Sequence, residues 1–292
     1  MVAVSIVIVN YNTFQLVFDC IKSILKQTAE LEYEIIVVDN ASVDGSPELI
    51  AKHFPDIVLI RSKENLGFGR ANNIGASQAK GLYLFFLNSD TVLLNNAIKI
   101  FHDYFNMSDQ KLGCIGGWLL DQNMLVNGAG GKFPRMKNYL TDRIKIIVNK
   151  FFADKLNSDD FEKGVDYVLG ADMFIPRMVF FEAGTFDERF FMYYEESDLQ
   201  LRIYKLGYLI KIIDGPQILH LEGKSSNASI KKTIMVQTSA LKYYKKNRPY
   251  WEYLSLRLLT FLDTFRLLFK KSYSFGDCKA HFIFSLKKLS SI

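Results

Sequence analysis

The sequence predicts an α/β domain with a mostly parallel central sheet flanked by helices, followed by a C-terminal helical extension. Strand-like and helix-like segments alternate through the first hundred residues, which is typical of a parallel sheet. An apolar run at residues 82–87 ends abruptly in polar residues, as buried parallel strands do. Residues 231–292 carry 13 Lys or Arg and 3 Asp or Glu, whereas residues 1–230 carry 23 and 28. We therefore expect a domain at residues 1–230 and a basic amphipathic extension at residues 231–292.

The predicted strands rest on short apolar runs rich in β-branched residues. They are expected at residues 5–9, 34–38, 57–60, 83–87, 115–120 and 167–175. The stretch between the last two, residues 121–163, is predicted to be a long loop, and such loops usually bind substrate or move.

The predicted helices rest on apolar residues spaced three or four apart. They are expected at residues 14–27 and 69–79, and again directly after Asp198. A shorter helix ending near residue 54 is predicted to have Ser46 as its N-cap and Pro47 at its first helical position.

Composition excludes several classes of protein. The chain is 49% hydrophobic and 23% charged, which indicates a globular rather than a disordered protein. Its three cysteines are scattered (Cys20, Cys114 and Cys278), which argues against disulfides and a zinc site and for a reducing compartment. Residues 2–9 resemble a first strand rather than a signal peptide, and no run approaches the roughly 20 apolar residues of a membrane span. We expect a cytoplasmic protein.

An acidic cluster carries the strongest functional signal. Glu195, Glu196 and Asp198 follow a run of aromatic residues and precede a helical pattern. Mutual repulsion and partial desolvation would raise a carboxyl pKa toward the range of a general base, while the helix N-terminus tolerates negative charge. The alternative is an acidic cap on an ordinary surface helix.

A second polar cluster, Asn88-Ser89-Asp90, ends the apolar run. Ligands of open α/β sheets bind at the carboxyl ends of the strands. The oxygen atoms of Asn88 and Asp90 suit a divalent cation that also holds phosphate, although the same residues can form a plain turn. Together with the acidic cluster, this turn predicts a diphosphate site.

Glycines upstream of the third helix offer a further anion contact. Gly67 and Gly69 follow Asn65 and can present backbone N–H groups to an anion. They do not form the Gly-x-Gly-x-x-Gly dinucleotide motif, because Asn72 stands three residues after Gly69. No Gly-Lys-Ser or Gly-Lys-Thr sequence supports a P-loop either.

In order and spacing, six motifs resemble those of the inverting family 2 glycosyltransferases, in particular the bacterial branch of rhamnosyltransferases and galactofuranosyltransferases. The motifs are SIVIVNYN at 5–12, IVVDNASVDGS at 36–46, NLGFG at 65–69, LNSDT at 87–91, residues 186–199 and HLEGKS at 220–225. They span about residues 4–226, and each motif alone is weak.

The resemblance implies a GT-A type domain that binds a nucleotide diphosphate sugar with Mg²⁺ or Mn²⁺. Asp90 and His220 would lie at the metal, although a lone histidine is otherwise more often structural. The remaining donor contacts implied by the matching positions are Asn10, Asn12, Asp39, Asn65, Gly67, Arg70, Asn88 and Ser89. Two of these residues have an alternative role that involves no ligand. Asp39 would form an Asx turn, and Arg70 would be a solvated surface side chain. Asn88 replaces the first aspartate of the family's Asp-x-Asp motif, so Asp90 must carry the metal's charge.

The resemblance also implies the reaction. Glu196 aligns with the family's base, which would deprotonate an acceptor hydroxyl as it attacks the sugar with inversion. Glu195 and Asp198 stay as alternatives, because Glu-Glu stands where the family has Glu-Asp. The acceptor would be a glycan or a polyprenyl-linked glycan in bacterial surface polysaccharide synthesis. The rival hypothesis is a non-catalytic sugar- or lipid-binding module that retains the fold.

The basic extension suggests an anionic partner. One helical face would carry apolar residues at three- and four-residue spacing, with positive charge from Arg257, Lys270 and Lys271. That face comprises Leu254, Leu258, Phe261, Phe265 and Leu268. We expect peripheral attachment to the anionic inner face of the cell membrane, with packing on the domain or a homodimer through these helices as alternatives. Nucleic acid is not expected, because the basic residues alternate with long apolar faces.

Overall fold

A computed structural model describes residues 1–141, 165–221, 230–268 and 273–290. Within these ranges the chain forms two compact units. The first comprises residues 1–133, 165–191 and 195–221, and the second comprises residues 134–141, 192–194, 230–268 and 273–290. Residues 222–225 of the last motif, Lys270, Lys271, the side chain of Leu268 and most of the predicted long loop lie outside the described residues. The domain boundary at residues 230 and 231 stays a prediction.

The strands in chain order are β1 Val4–Asn10, β2 Tyr33–Asp39, β3 Val58–Arg61, β4 Tyr83–Asn88, β5 Thr91–Leu93, β6 Leu112–Leu120, β7 Val126–Gly128, β8 Gly130–Gly131, β9 Tyr167–Val168, β10 Asp172–Pro176 and β11 Leu209–His220. The helices are α1 Phe14–Gln27, α2 Ser46–His53, α3 Phe68–Gln78, α4 Ala97–Met107, α5 Arg177–Glu182, α6 Glu195–Lys205, α7 Ile230–Asn247, α8 Tyr250–Leu268 and α9 Phe275–Ser290.

Nine described strands of the first unit form a mixed sheet in the order β3-β2-β1-β4-β10-β6-β11-β5, with β7 beside β6, and β8 and β9 form a separate two-stranded sheet. The predicted parallel half, β3-β2-β1-β4, is confirmed. Alternate residues of its strands face two apolar layers. Ile6 and Ile8 pack with residues of α1, whereas Val7 packs with residues of α3. An α/β sheet flanked by helices is therefore the fold of the first unit.

The carboxyl ends of the parallel strands lie side by side. Asn10 is in register with Asp39, Asp39 with Arg61, and Val9 with Asn88. Because parallel strands end at a common edge, polar residues from three separate motifs meet there.

Two sequence-based expectations were wrong in detail. Residues 167–175 form two strands, because the chain changes partner between them: Leu169 N donates to Ala129 O, and Ala171 O accepts from Asn88 N. β9 therefore pairs with β8, and β10 runs antiparallel to β4. The N-cap of α2 is Gly45 rather than Ser46, because Gly45 adopts the left-handed conformation with φ +80° and Ser46 is already helical.

The second unit contains α7, α8 and α9. Helix α8 buries several charged and polar residues together with the apolar residues Tyr253, Leu256 and Leu267. Other large apolar residues of the same helix are exposed. The buried polar residues are Glu252, Arg257, Thr260, Asp263 and Thr264. The exposed residues, called here the outer apolar row, are Trp251, Leu254, Leu258, Leu262 and Phe265. In the described part of the chain no helix combines the length and apolarity needed to cross a membrane.

Candidate active site

A buried hydrogen-bond network joins the ends of β1 and β2. Asn10 Nδ2 donates to Asp39 Oδ1 at 2.8 Å and to Ser42 Oγ at 3.1 Å. Asn10 Oδ1 accepts from Thr13 Oγ1 at 3.0 Å, so Thr13, the N-cap residue of α1, makes no side-chain cap bond. Asp39 Oδ2 also accepts from Ser42 N at 3.1 Å, the kind of local turn expected as the alternative at this aspartate. The side chains of Asn10 and Asp39 therefore shape this edge of the sheet.

Asn12 has a bracing role in the same edge. It adopts the left-handed conformation with φ 53°, which asparagine tolerates better than most residues. Its Oδ1 accepts from Val43 N at 2.8 Å, and its N donates to Ser42 Oγ at 2.9 Å. Asn12 thus joins the loops after β1 and β2.

Asn40 is a buried hub that the sequence analysis missed. Its Nδ2 donates to Asn65 Oδ1 at 2.9 Å and to Gly67 O at 3.1 Å, and its Oδ1 accepts from Leu66 N at 2.8 Å. Asn65 Oδ1 also accepts from Gly67 N at 3.0 Å. The position of Asn40 directly after β2 was the available signal. Its side chain holds the predicted anion-binding loop against the sheet edge.

The same loop is held to the segment before the acidic cluster. Phe68 N donates to Phe191 O at 2.8 Å, and a Cβ at Gly67 would overlap that same carbonyl oxygen. Asn73 forms a pair of hydrogen bonds with the backbone of Phe186, at 2.9 and 3.0 Å. Gly67 is therefore required by close approach of the backbone.

Asp90 and His220 come together at the end of the sheet. Asp90 Oδ1 lies 3.3 Å from His220 Nε2, and Leu221 N donates to Asp90 O at 2.9 Å. His220 is buried and the Asp90 side chain is mostly buried. Beneath this turn, burial raises the pKa of the Cys20 thiol to about 12, so Cys20 is an inert packing residue.

Asp90 in the turn offers a carboxylate oxygen to a cation, and the neighbouring His220 offers an imidazole nitrogen. Among the described residues no group of three or more His, Cys, Asp or Glu could hold a metal. Such a pair of donors fits a cation that takes its other ligands from phosphate oxygens and water, as Mg²⁺ commonly does. Ser89, next to Asp90, lies with its Oγ 3.5 Å from Thr13 Oγ1.

The three carboxylates of the acidic cluster all lie in the first turn of α6, but their environments differ. Asp198 is fully buried, and its Oδ2 accepts from Arg202 Nε at 3.0 Å and lies 2.9 Å from Nη2. Glu195 is buried. Glu196 is only half-buried, and no cation in the described part of the chain forms an ion pair with it. Its desolvation raises its pKa, although backbone N–H groups of Glu196 and Ser197 act in the opposite direction.

Glu196 and Asn88 are linked through two consecutive residues. A Cβ at Gly170 would lie 3.7 Å from Glu196 Cβ, so the two residues are packed together. The next residue, Ala171, accepts from Asn88 N at 3.0 Å. The carboxylate at the start of α6 and the Asn88–Asp90 turn therefore flank the same short segment.

Gln200, also missed from the sequence, anchors α6 one helical turn after Glu196. It is fully buried, its Oε1 accepts from Val168 N at 2.8 Å, and its Nε2 donates to Val168 O at 2.8 Å. These bonds fix the helix against the segment that contains Gly170. Arg70, in contrast, is exposed and lies 3.5 Å from the exposed Glu188.

A family model of glycosyl transferase family 2 matches residues 5–152, which is half of the chain and includes the first four motifs of the site. The chain belongs to glycosyl transferase family 2. This membership agrees with the resemblance found in the sequence.

Curated relatives of this glycosyltransferase include an N-acetylglucosaminyl-diphospho-decaprenol L-rhamnosyltransferase of Mycobacterium tuberculosis. The two are 23% identical over 223 residues, covering 69% of this chain and 71% of the relative. A glycosyltransferase of Rickettsia bellii, described as uncharacterized, is 31% identical over 234 residues, covering 77% of this chain and 31% of the relative.

Two solved structures share the fold of the glycosyltransferase. GalNAc-T7 with UDP, GalNAc and Mn²⁺ gives a TM-score of 0.55 at 18% identity, covering 86% of this chain and 52% of that one. S. aureus TarS gives a TM-score of 0.57 at 14% identity, covering 92% and 44%. The chain spans about half the length of the solved structures that it matches.

Proposed function

We propose that this family member transfers a sugar, with inversion, from a nucleotide diphosphate donor to a hydroxyl of a lipid-linked glycan. The single observation that carries this proposal is the placement of Glu196. It is the half-buried carboxylate of the cluster, its pKa is raised by desolvation, and it flanks the same segment as the Asn88–Asp90 turn. The name of the mycobacterial relative supports a polyprenyl diphosphate-linked acceptor and a role in bacterial surface glycan synthesis.

Glu196 is proposed as the general base. A carboxylate whose pKa is raised toward neutrality accepts a proton more readily than an ordinary one, and inversion requires only one base on the acceptor side. Asp198 suits this task poorly, because its carboxylate is fully buried and already accepts hydrogen bonds from the Arg202 guanidinium. Glu195 is buried beside α3, since a Cβ added at Gly69 would lie 3.7 Å from the Cβ of Glu195.

Asp90 and His220 are proposed to hold a divalent cation, Mg²⁺ or Mn²⁺, together with the donor diphosphate. When bound, such a cation supplies positive charge that stabilises the leaving diphosphate. The protein's own contribution is to orient the donor. The braced loops of Asn10, Asn12 and Asn40 shape the pocket for the nucleotide, with Asp39 beside it.

Five further residues are proposed to contact the donor. Asn65 and Gly67 hold a loop whose backbone N–H groups suit an anion, although the Gly67 N–H already donates to Asn65. Arg70 would contact the diphosphate by exchanging its exposed ion pair with Glu188. Asn88 and Ser89 flank the metal-binding aspartate in the turn.

The test is a screen of nucleotide diphosphate sugars for thermal stabilisation, with and without Mn²⁺, followed by determination of the anomeric configuration of the product by NMR. We expect one donor to stabilise the protein only with the cation and to give an inverted product. A retained configuration would reject the inverting mechanism, and a protein that binds donor without transfer would favour the non-catalytic sugar-binding alternative.

Attachment to an anionic membrane surface is proposed as well, on the exposed apolar residues of α8. The outer apolar row exposes Trp251 by 61% and Leu258 by 55%, which is costly in water and favourable in the lipid interface. Lys245 and Lys246 at the end of α7 are exposed and would attract anionic lipids. The inner face of the cell membrane is the surface that a lipid-linked acceptor of this kind implies. A second copy of the chain covering the row, giving a homodimer, is the competing outcome.

A further inference from the structure

Among the described residues, none forms an ion pair with Arg257 of α8. The residue is 3% exposed, and its Nε, Nη1 and Nη2 atoms are buried without a hydrogen-bond partner in the described part of the chain. A guanidinium stays charged throughout the physiological pH range, and buried charges are normally paired. A bound anion would therefore stabilise the Arg257 guanidinium.

The surroundings of Arg257 add positive charge. The Tyr253 ring centroid lies 5.4 Å from Arg257 Cζ and 5.9 Å from Lys245 Nζ. Tyr253 is itself 6% exposed. Two cations thus approach one buried ring, and its π-face offers only a weak substitute for a counter-ion.

The acidic residues of α8 are engaged elsewhere. Glu252 Oε2 accepts from Met136 N at 2.8 Å, and Asp263 Oδ1 lies 3.8 Å from Arg266 Nε. Arg257 is not ion-paired with either of them in the described structure. The described residues therefore supply no counter-charge to Arg257, and a bound anion would provide one.

The apolar surface beside Arg257 indicates what kind of molecule this is. Leu254 and Leu258, both in the outer apolar row, lie within one helical turn of Arg257. A buried cation next to an exposed hydrocarbon-binding row matches an amphiphile that carries a negative head group. A phosphate suits the head group well, because the planar guanidinium binds phosphate oxygens in pairs.

We propose that Arg257 binds the phosphate of a lipid whose hydrocarbon chain lies along the outer apolar row, the lipid being the polyprenyl diphosphate of the acceptor. This inference rests on the proposed function, from which it takes the lipid-linked acceptor. It assigns the helical unit a role in binding the acceptor lipid.

The test compares the wild-type protein with two variants that lose the same charge from the same helix. Arg257→Met removes the buried guanidinium, whereas Arg266→Met removes an exposed one and serves as the control. The probe is farnesyl diphosphate below its micelle concentration, and affinity is measured by calorimetry. We expect the wild type and Arg266→Met to bind alike and Arg257→Met to bind at least about tenfold more weakly, since charge-assisted hydrogen bonds are lost. The affinity of Arg257→Lys for farnesyl diphosphate should be intermediate. Lysine keeps the positive charge but lacks the planar guanidinium that binds two phosphate oxygens at once.

The thermal midpoint without lipid separates a binding role from a structural one. Arg257→Met should unfold no earlier than the wild type, because it removes a buried charge without a partner. A large fall in its midpoint, or an unchanged affinity for farnesyl diphosphate, would overturn the proposal.

Two further probes distinguish the sources of phosphate. Inorganic pyrophosphate should bind much more weakly than farnesyl diphosphate. Equal affinities would reject the proposal that the hydrocarbon chain binds along the outer apolar row. If Arg257→Met weakens binding to phosphatidylglycerol vesicles but not to farnesyl diphosphate, the acceptor lipid is rejected. Dissociation of a dimer in Arg257→Met would instead assign Arg257 to a second copy and overturn the proposal. Metal-dependent donor binding on the same samples tests the proposed function separately.

Discussion

Asp90 Oδ1 lies 3.3 Å from His220 Nε2, and the sheet topology places them there. Asp90 immediately precedes β5 and His220 ends β11, and antiparallel pairing puts His220 opposite Thr91. The backbone hydrogen bond from Leu221 N to Asp90 O, at 2.9 Å, extends that pairing. Two potential metal ligands far apart in the sequence are therefore held together by backbone hydrogen bonds.

Replacing Asp90 with asparagine should abolish the metal-dependent part of donor binding. The substitution keeps the shape of the side chain and removes the only carboxylate of the turn, so the fold should be unaffected. Titration of the donor with and without Mn²⁺ measures the effect, with the exposed Asp56→Asn as control. A variant that retains the full Mn²⁺ dependence would remove Asp90 from the metal site.

Replacing Gly67 with alanine should destabilise the protein more than replacing Gly45. Both glycines have φ +80°, but a Cβ at Gly45 meets nothing within 4 Å, whereas a Cβ at Gly67 would overlap Phe191 O. Gly67 also has ψ −172°, a region essentially restricted to glycine. We expect a loss of about 1 kcal/mol for Gly45→Ala and more than about 3 kcal/mol for Gly67→Ala in urea unfolding. Equal losses would show that the contact with Phe191 is not restrictive.

Asp172 should make stability decline with rising pH. It is fully buried, its Oδ1 has no hydrogen-bond partner in the described structure, and burial raises its pKa well above the ordinary 3.8 despite a bond from Gly117 N. Because the unfolded chain ionises first, the free energy of unfolding should fall as pH rises above that value, until Asp172 ionises in the folded state. Asp172→Asn should therefore gain stability relative to the wild type as the pH rises above about 4. Parallel urea-unfolding profiles would contradict a protonated Asp172.

Polar substitution of the outer apolar row should weaken membrane binding. Leu258→Gln together with Leu262→Gln changes two residues that are 55% and 49% exposed, so the fold should tolerate it. We expect co-sedimentation with phosphatidylglycerol vesicles to fall at least about tenfold, as expected for removing roughly 3 kcal/mol of apolar burial. The matched variant Leu25→Gln, on α1 at 51% exposure, should bind as the wild type does. If the double variant binds vesicles as the wild type does but no longer forms a dimer, the outer apolar row would instead contact a second copy of the chain.

Much of the first unit could be predicted because its signals are local. The strands β1 to β4 and the helices between them follow from apolar spacing. The acidic first turn of α6 follows from three carboxylates before a helical pattern. The length of β11 could not be predicted, because Gly215 and Pro216 interrupt it and the register shifts there.

The roles of the polar residues were harder to predict than their position. Asn10, Asn12 and Asn65 form hydrogen bonds across loops that are distant in the sequence, so only the tertiary structure reveals them as braces. Asn40 and Gln200 were missed for the same reason. Of the predicted apolar face of α8, Leu254, Leu258 and Phe265 are exposed, whereas Phe261 is only partly exposed. Trp251 and Leu262 are exposed as well, although the three- and four-residue spacing did not include them.

The rate of sugar transfer by Glu196→Gln at saturating donor tests the central claim most directly. The substitution removes the proposed proton acceptor at nearly constant shape, so we expect a rate roughly 10² to 10⁴ lower than the wild type with donor affinity little changed. Glu182→Gln, an exposed carboxylate on α5, should transfer at the normal rate. A Glu196→Gln variant that transfers as fast as the wild type would contradict the assignment of the base and, with it, this account of the site.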